Sequence, residues 1–222
     1  LACAPPTRRV GRDRGRPGAR GSLPGVRRAL TLVRHGLTEW NVAGRFQGQT
    51  DLPLSEDGRR QARRLARRTA RFGEIDLLVA SPLARARETA ELAFPGRVVA
   101  TDPRLMELNF GVFEGATAEE NARRPEWAAW SVDPFLRAAP EGESYRELQE
   151  RIVSWYEELP SDLAHVVAVT HSGAIQMLLA HVLGLEHPRW RKRIYVRHSS
   201  VSRIVTRGTE VVVERVNDTR HL

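Results

Sequence analysis

The chain has 222 residues with one cysteine, is 41% hydrophobic and 28% charged, and carries a net charge of +8. That length and composition suit one globular α/β domain with a sizeable core. One cysteine excludes a disulfide framework and a Cys-rich metal cluster, and no apolar run approaches the roughly 18 residues of a membrane-crossing helix.

Residues 1–28 hold eight arginines against the single acid Asp13, so seven of the eight net charges sit there. They also hold five Gly and four Pro without apolar periodicity. Such a segment cannot bury enough surface to offset its ordering entropy, so it reads as a disordered basic tail ahead of a domain at 29–222. A targeting segment and a nucleic-acid or membrane arm are the alternatives, and Val26 is an alternative start. Lys192 is the only lysine, which excludes a Walker A phosphate cradle. The arginine excess itself reads as coding bias.

Residues 29–33 form a short apolar run that predicts a buried strand. Ser55 is a helix N-cap, followed by Glu56 and Asp57 where the dipole favours acids; Ala62, Leu65, Ala66 and Thr69 continue the helix to about Phe72, and Gly73 stops it. The seven arginines between 59 and 71 make a basic helix face, read as solvated. Further strands are expected at 75–79, 97–100 and 165–169. Helices are expected from Pro82 to Phe94, over 145–159 and over 174–185, with one short helix from Thr117 to about Trp130. Residues 201–206 and 211–216 predict a closing hairpin around Gly208. Strands alternating with helices argue a three-layer α/β/α domain with a mainly parallel sheet.

Ligands of open α/β sheets sit beyond the carboxyl ends of the strands. Here those ends carry Arg34-His35-Gly36, then Ser81 with Arg85, then Glu107, then His171-Ser172-Gly173. Cations for anionic oxygens, an imidazole and a carboxylic acid at one edge suit a phosphate ester. A helix N-terminus would add backbone N–H donors. His165, His181, His187, His198 and His221 have no such context and read as structural or exposed. Ser172 reads as a helix cap.

The run LVRHGLTEWN at 32–41 resembles the signature of the histidine phosphatase superfamily, with its phosphoglycerate mutase-like fold. Four further blocks match in order: Phe46-Gln47-Gly48 with 51–54; 81–86; Leu105-Met106-Glu107 with Phe110-Gly111 and Glu114-Gly115; and 170–173. The resemblance spans residues 30 to about 206. It implies that His35 attacks phosphorus and forms a phosphohistidine, with its other ring nitrogen bonded to backbone. Arg34 and Arg85 would hold the phosphoryl oxygens, protonated His171 would add charge, and Asn41 would donate a hydrogen bond. Glu107 would protonate the leaving alkoxide and later activate water, with Glu114 the competing carboxylate and Arg87 the competitor of Arg85. Thr38, Gln47 and Gly48 complete the expected substrate-binding set. Gly36 would permit the close turn after the nucleophile.

The resemblance implies a metal-independent phosphomonoesterase without cofactor, acting on a small phosphorylated metabolite. The expected protein is cytoplasmic, a monomer or homodimer, with no nucleic-acid or membrane partner. The alternatives are a phosphoglycerate mutase and a catalytically silent phospho-ligand-binding relative. Only residues 116–143 separate Gly115 from Ser144, a small cap insertion that suits hydrolysis better than a sealed mutase site. Leu37, where the family often has Glu or Gln, together with Trp127, Trp130 and Phe135, is expected to form an apolar pocket wall. Substrate candidates run from sugar phosphates and phosphoglycerate derivatives to nucleotide-loop intermediates of cobalamin synthesis.

Overall fold

The structure is a computed structural model that describes residues 26–185 and 194–222. Of the expected tail, residues 1–25 lie outside the described residues, as does His187. Val26–Arg28 are not tail: they open the first strand, β1 (Val26–Arg34). Arg28 anchors that end, donating to the carbonyls of Leu159 and Pro160 at 3.2 and 2.9 Å.

The other strands are β2 (Leu77–Ala80), β3 (Ala100–Thr101), β4 (His165–Thr170), β5 (Val201–Arg207) and β6 (Glu210–Asp218). The sheet order is β3-β2-β4-β1-β5-β6. The first four run parallel, and β5 and β6 pair antiparallel as the closing hairpin. β3 is only two residues long and exposed, shorter than 97–100 led us to expect.

Helices α2 (Glu56–Thr69) and α3 (Ala84–Ala93) cover one face. Helices α6 (Tyr145–Glu157) and α7 (Ser172–Val182) cover the other. Side chains alternate across a strand, and β4 shows the partition. Val166 and Ala168 join one core with Leu148, Ile152 and Leu178; Val167 and Val169 join the other with Leu65, Ala86 and Ala90. All six residues of β4 are buried, as a strand covered on both faces requires. Truncating Leu148, fully buried under α7, to alanine would cost about 2–5 kcal/mol.

Two local expectations fail. The single cap helix is two: α4 (Ala118–Asn121), with a capping box between Thr117 and Glu120, and α5 (Pro125–Val132). Pro125 lacks the N–H that a continuous helix would use and instead occupies a first-turn position of α5, where none is needed. The cap position of α7 belongs to His171, with Ser172 the first helical residue. A short helix, α1 (Glu39–Val42), follows β1 directly. Among the described residues no helix is long and apolar enough to cross a membrane.

Candidate active site

β1 and β4 lie side by side with Arg34 opposite Thr170. The next residues, His35 and His171, therefore leave the sheet together, their ring centroids 5.0 Å apart. The His35 amide continues the ladder, donating to the Thr170 carbonyl at 2.9 Å. His35 is 3% exposed. Its Nδ1 lies 2.7 Å from the Gly36 carbonyl, an acceptor only, so Nδ1 carries the proton and Nε2 keeps its lone pair. Burial, reinforced by Arg85 and then His171, holds His35 well below the usual imidazole value, so the ring is neutral at pH 7. A Cβ on Gly36 would stand 2.7 Å from the Gly58 carbonyl oxygen, so the start of α2 can seat there only against a glycine.

Arg34 donates to the Val196 carbonyl at 2.6 Å and to His198 Nε2 at 2.7 Å. Arg85 is 1% exposed and donates to the carbonyls of Thr50 and Gly48 at 2.9 and 2.6 Å. Burial lowers each guanidinium to about 10, partly offset by Glu107, and both stay cationic at pH 7. The Nε atoms of both are buried without a hydrogen-bond partner. Buried N–H groups left open in a cleft are what an anion would satisfy. Arg87 is exposed on α3 and takes no part.

Glu107 accepts from the amides of Leu108 at 2.9 Å and Gly173 at 3.2 Å. Glu107 thus takes an amide at the start of α7 that an incoming anion was expected to use. A Cβ on Gly173 would stand 2.3 Å from Glu107 Oε1. Arg151 donates to the Glu107 carbonyl at 2.8 Å and pairs with Glu143, fixing the turn from behind. Glu114, the competing carboxylate, is consumed by the amides of Gln49, Thr50 and Phe110 and by the Thr50 hydroxyl. A Cβ on Gly48, which has φ +53°, would overlap that carboxylate.

A cleft of about 240 Å³ joins Arg34, His35, Arg85 and Glu107 to Asn41, Gln47 and Gly48. Gln47 is 6% exposed, and its Nε2 is a buried donor without a partner. Two expected members stand outside the lining. Thr38 is fully buried: its hydroxyl caps α1 and donates to Gln47 Oε1 at 2.9 Å, so it positions Asn41 and Gln47. His171 sits behind His35, fully buried, with Nε2 2.8 Å from the Ser81 hydroxyl and Nδ1 unpartnered. Burial, then Arg85 and Arg151, holds His171 well below the usual imidazole value.

The expected apolar wall is also corrected. Leu37 does not line the cleft; its backbone is tied to Gln61 and Ser55. Trp130 is buried in the main core, and Trp127 and Phe135 pack against it. The wall is Phe46 and Phe110, edge-to-face at 4.9 Å and backed by the tryptophans. Arg45 adds a cation at the lining, held by the Gly115 carbonyl and Glu120. The sequence reading passed over His198 as well. It packs at 5.6 Å from His35 and bonds Arg34, and burial, then Arg34, pushes it down to about 3. No motif marks it; only the path of the chain into β5 brings it there.

Known proteins share this architecture. A curated Escherichia coli relative named "Probable phosphoglycerate mutase GpmB" is 37% identical over 207 residues, covering 86% of this chain and 93% of its own. The solved alpha-ribazole phosphatase from Shigella flexneri superposes with a TM-score of 0.78 at 27% identity, over 86% of this chain and 96% of that one. The mycobacterial glucosyl-3-phosphoglycerate phosphatase, solved with VO3, gives 0.71 at 31% identity, over 86% and 98%. Residues 30–219 match the family described as the histidine phosphatase superfamily, branch 1, and the chain belongs to it.

Proposed function

We propose that the chain hydrolyses phosphomonoesters of small metabolites through a phosphohistidine on His35, without a metal ion. The observation that carries this reading is the 2.7 Å contact from His35 Nδ1 to the Gly36 carbonyl, which leaves Nε2 as the nucleophile. Arg34 and Arg85 receive the phosphoryl oxygens, since guanidinium forks match phosphate geometry. Nε2 bonds to phosphorus as the bond to the leaving oxygen breaks, and Glu107 gives that oxygen a proton. Water then attacks phosphorus, the N–P bond breaks, and Glu107 takes the water's proton. His171, behind His35, adds positive charge to the site if a bound anion draws a proton onto its ring. The fixed guanidinium charges supply the electrostatic stabilisation that phosphoryl transfer needs.

The name of the Escherichia coli relative favours a second reading, interconversion of phosphoglycerates. A mutase must keep water from phosphohistidine while a bisphosphate intermediate turns over. Here α4 and α5 form a short cap whose Trp130 is packed into the main core. That favours hydrolysis, as do the phosphatase names of the two solved structures. The deciding experiment is a phosphate-release screen over phosphorylated metabolites, with and without chelator, beside a mutase assay on 3-phosphoglycerate with bisphosphoglycerate added. Hydrolysis of at least one ester should exceed interconversion and survive the chelator. Interconversion faster than every hydrolysis, or activity lost to chelator and restored by metal, would overturn it.

A further inference from the structure

On the face of the sheet covered by α2, a second concavity of about 440 Å³ is lined by Arg64, Arg67, Arg68, Arg71, Arg220 and His221. Arg64, Arg67 and Arg68 lie on α2 and Arg71 two residues past its end, at positions i, i+3, i+4 and i+7 that share one face. The chain end folds over that face: Arg68 reaches the Asp218 carboxylate at 2.8 Å and the His221 ring at 3.3 Å.

Charge is unevenly answered along this helix. In its first half Arg59 pairs with Glu56 and Glu88, and Arg60 with Asp57. In its second half one carboxylate, Asp218, serves Arg68, Arg215 and Arg220 together. Arg64, Arg67 and Arg71 have no carboxylate partner among the described residues. Like charges spaced three and four apart on a helix destabilise it. The helix dipole favours cations in the last turn only, so it accounts for Arg67 and Arg68 but not for Arg64 or Arg220. A solvated face would also spread these groups, whereas here two elements bring them around one hollow.

We propose that this hollow is a second, non-catalytic binding site for a small polyanion carrying two or more phosphate or sulfate groups. Arg64 to Arg68 spans about 6 Å of helix and Arg71 lies beyond its end, so the cations extend farther than one phosphate can bridge. The volume suits a small ligand rather than an extended polymer. Guanidinium forks bind such groups bidentately, and no lysine is present in the set.

The test uses the full chain and inorganic tripolyphosphate, titrated calorimetrically with the catalytic cleft first saturated by vanadate. One equivalent should still bind, more tightly than sulfate and more weakly as salt is raised. The triple variant Arg64→Gln/Arg67→Gln/Arg71→Gln should bind at least tenfold more weakly while hydrolysing nitrophenyl phosphate as before. No binding beside vanadate, or unchanged affinity in the triple variant, overturns the site. A 20-nucleotide single-stranded RNA or phosphatidylglycerol vesicles that bind more tightly than tripolyphosphate, and lose that binding in the triple variant, would also overturn it in favour of a macromolecular surface.

Discussion

Ser81 Oγ lies 2.8 Å from His171 Nε2 and 3.3 Å from the amide of Leu83. The amide can only donate, so the hydroxyl accepts from it and is free to give its own proton to Nε2. Among the described residues the hydroxyl is the one side-chain tether of the ring, whose Nδ1 is buried without a partner. Ser81→Ala removes the tether and leaves a second buried ring nitrogen open. We expect kcat to fall about tenfold, equivalent to about 1.4 kcal/mol, with KM little changed. Steady-state kinetics on one ester checks this, and an unchanged kcat would remove Ser81 from the positioning of His171.

His35→Ala should abolish turnover while the far-UV spectrum and thermal midpoint stay near those of the parent. Acid-labile, base-stable phosphate should be trapped on His35 in rapidly quenched parent enzyme. Label on a serine would assign the chemistry elsewhere.

Glu107→Gln should slow hydrolysis of alkyl phosphates by about 10²–10⁴-fold, the usual worth of a general acid. Nitrophenyl phosphate, whose leaving group hardly needs a proton, should lose far less. Gly173→Ala offers the same test by geometry, since its Cβ would displace Glu107 Oε1. It should show the same leaving-group bias, about 10²-fold on alkyl esters. Equal losses on both substrate classes would argue against the acid role.

The pH behaviour follows from buried imidazoles. His35, His171, His165, His198 and His221 are all held below the usual histidine value, chiefly by burial. A depressed value means the folded state binds fewer protons than the unfolded chain. Stability is therefore full above about pH 6.5 and declines as pH falls below it, continuing toward about 3 for His198. Carboxylates in the unfolded chain titrate near pH 4, so a falling thermal midpoint between pH 6.5 and 5 reports the histidines. Activity should outlast that onset, because His35 stays neutral: the acid limb of kcat/KM is expected below pH 6.5. A midpoint flat from pH 7 to 5 would contradict the burial argument.

The parallel core was legible because covered strands are continuous apolar runs, as at 165–169, and the helices between them repeat with helical spacing. His35 and His171 were legible because each sits directly after such a run. What sequence reading missed has a common cause: it depends on which groups the fold brings together. Thr38 carries a substrate-binding hydroxyl as a string and a capping hydroxyl in space. Trp130 stands in a cap insertion, yet it is buried in the main core. His198 has no neighbour in sequence that gives it meaning, and its two partners belong to β1 and the turn after it. The break before α5 did have a signal in the sequence, Pro125.

Because β1 and β4 are neighbours, the two histidines are joined by strands more than half the chain apart in sequence. Pairings of that separation close the longest loops and are slow to form. An incomplete chain that stops before β4 can hold helices and the start of the sheet but no reaction centre. During refolding, helical signal should return before activity does, and activity should return together with protection of the β4 amides from hydrogen exchange. Catalytic competence is in this sense a report on whether the whole sheet has closed.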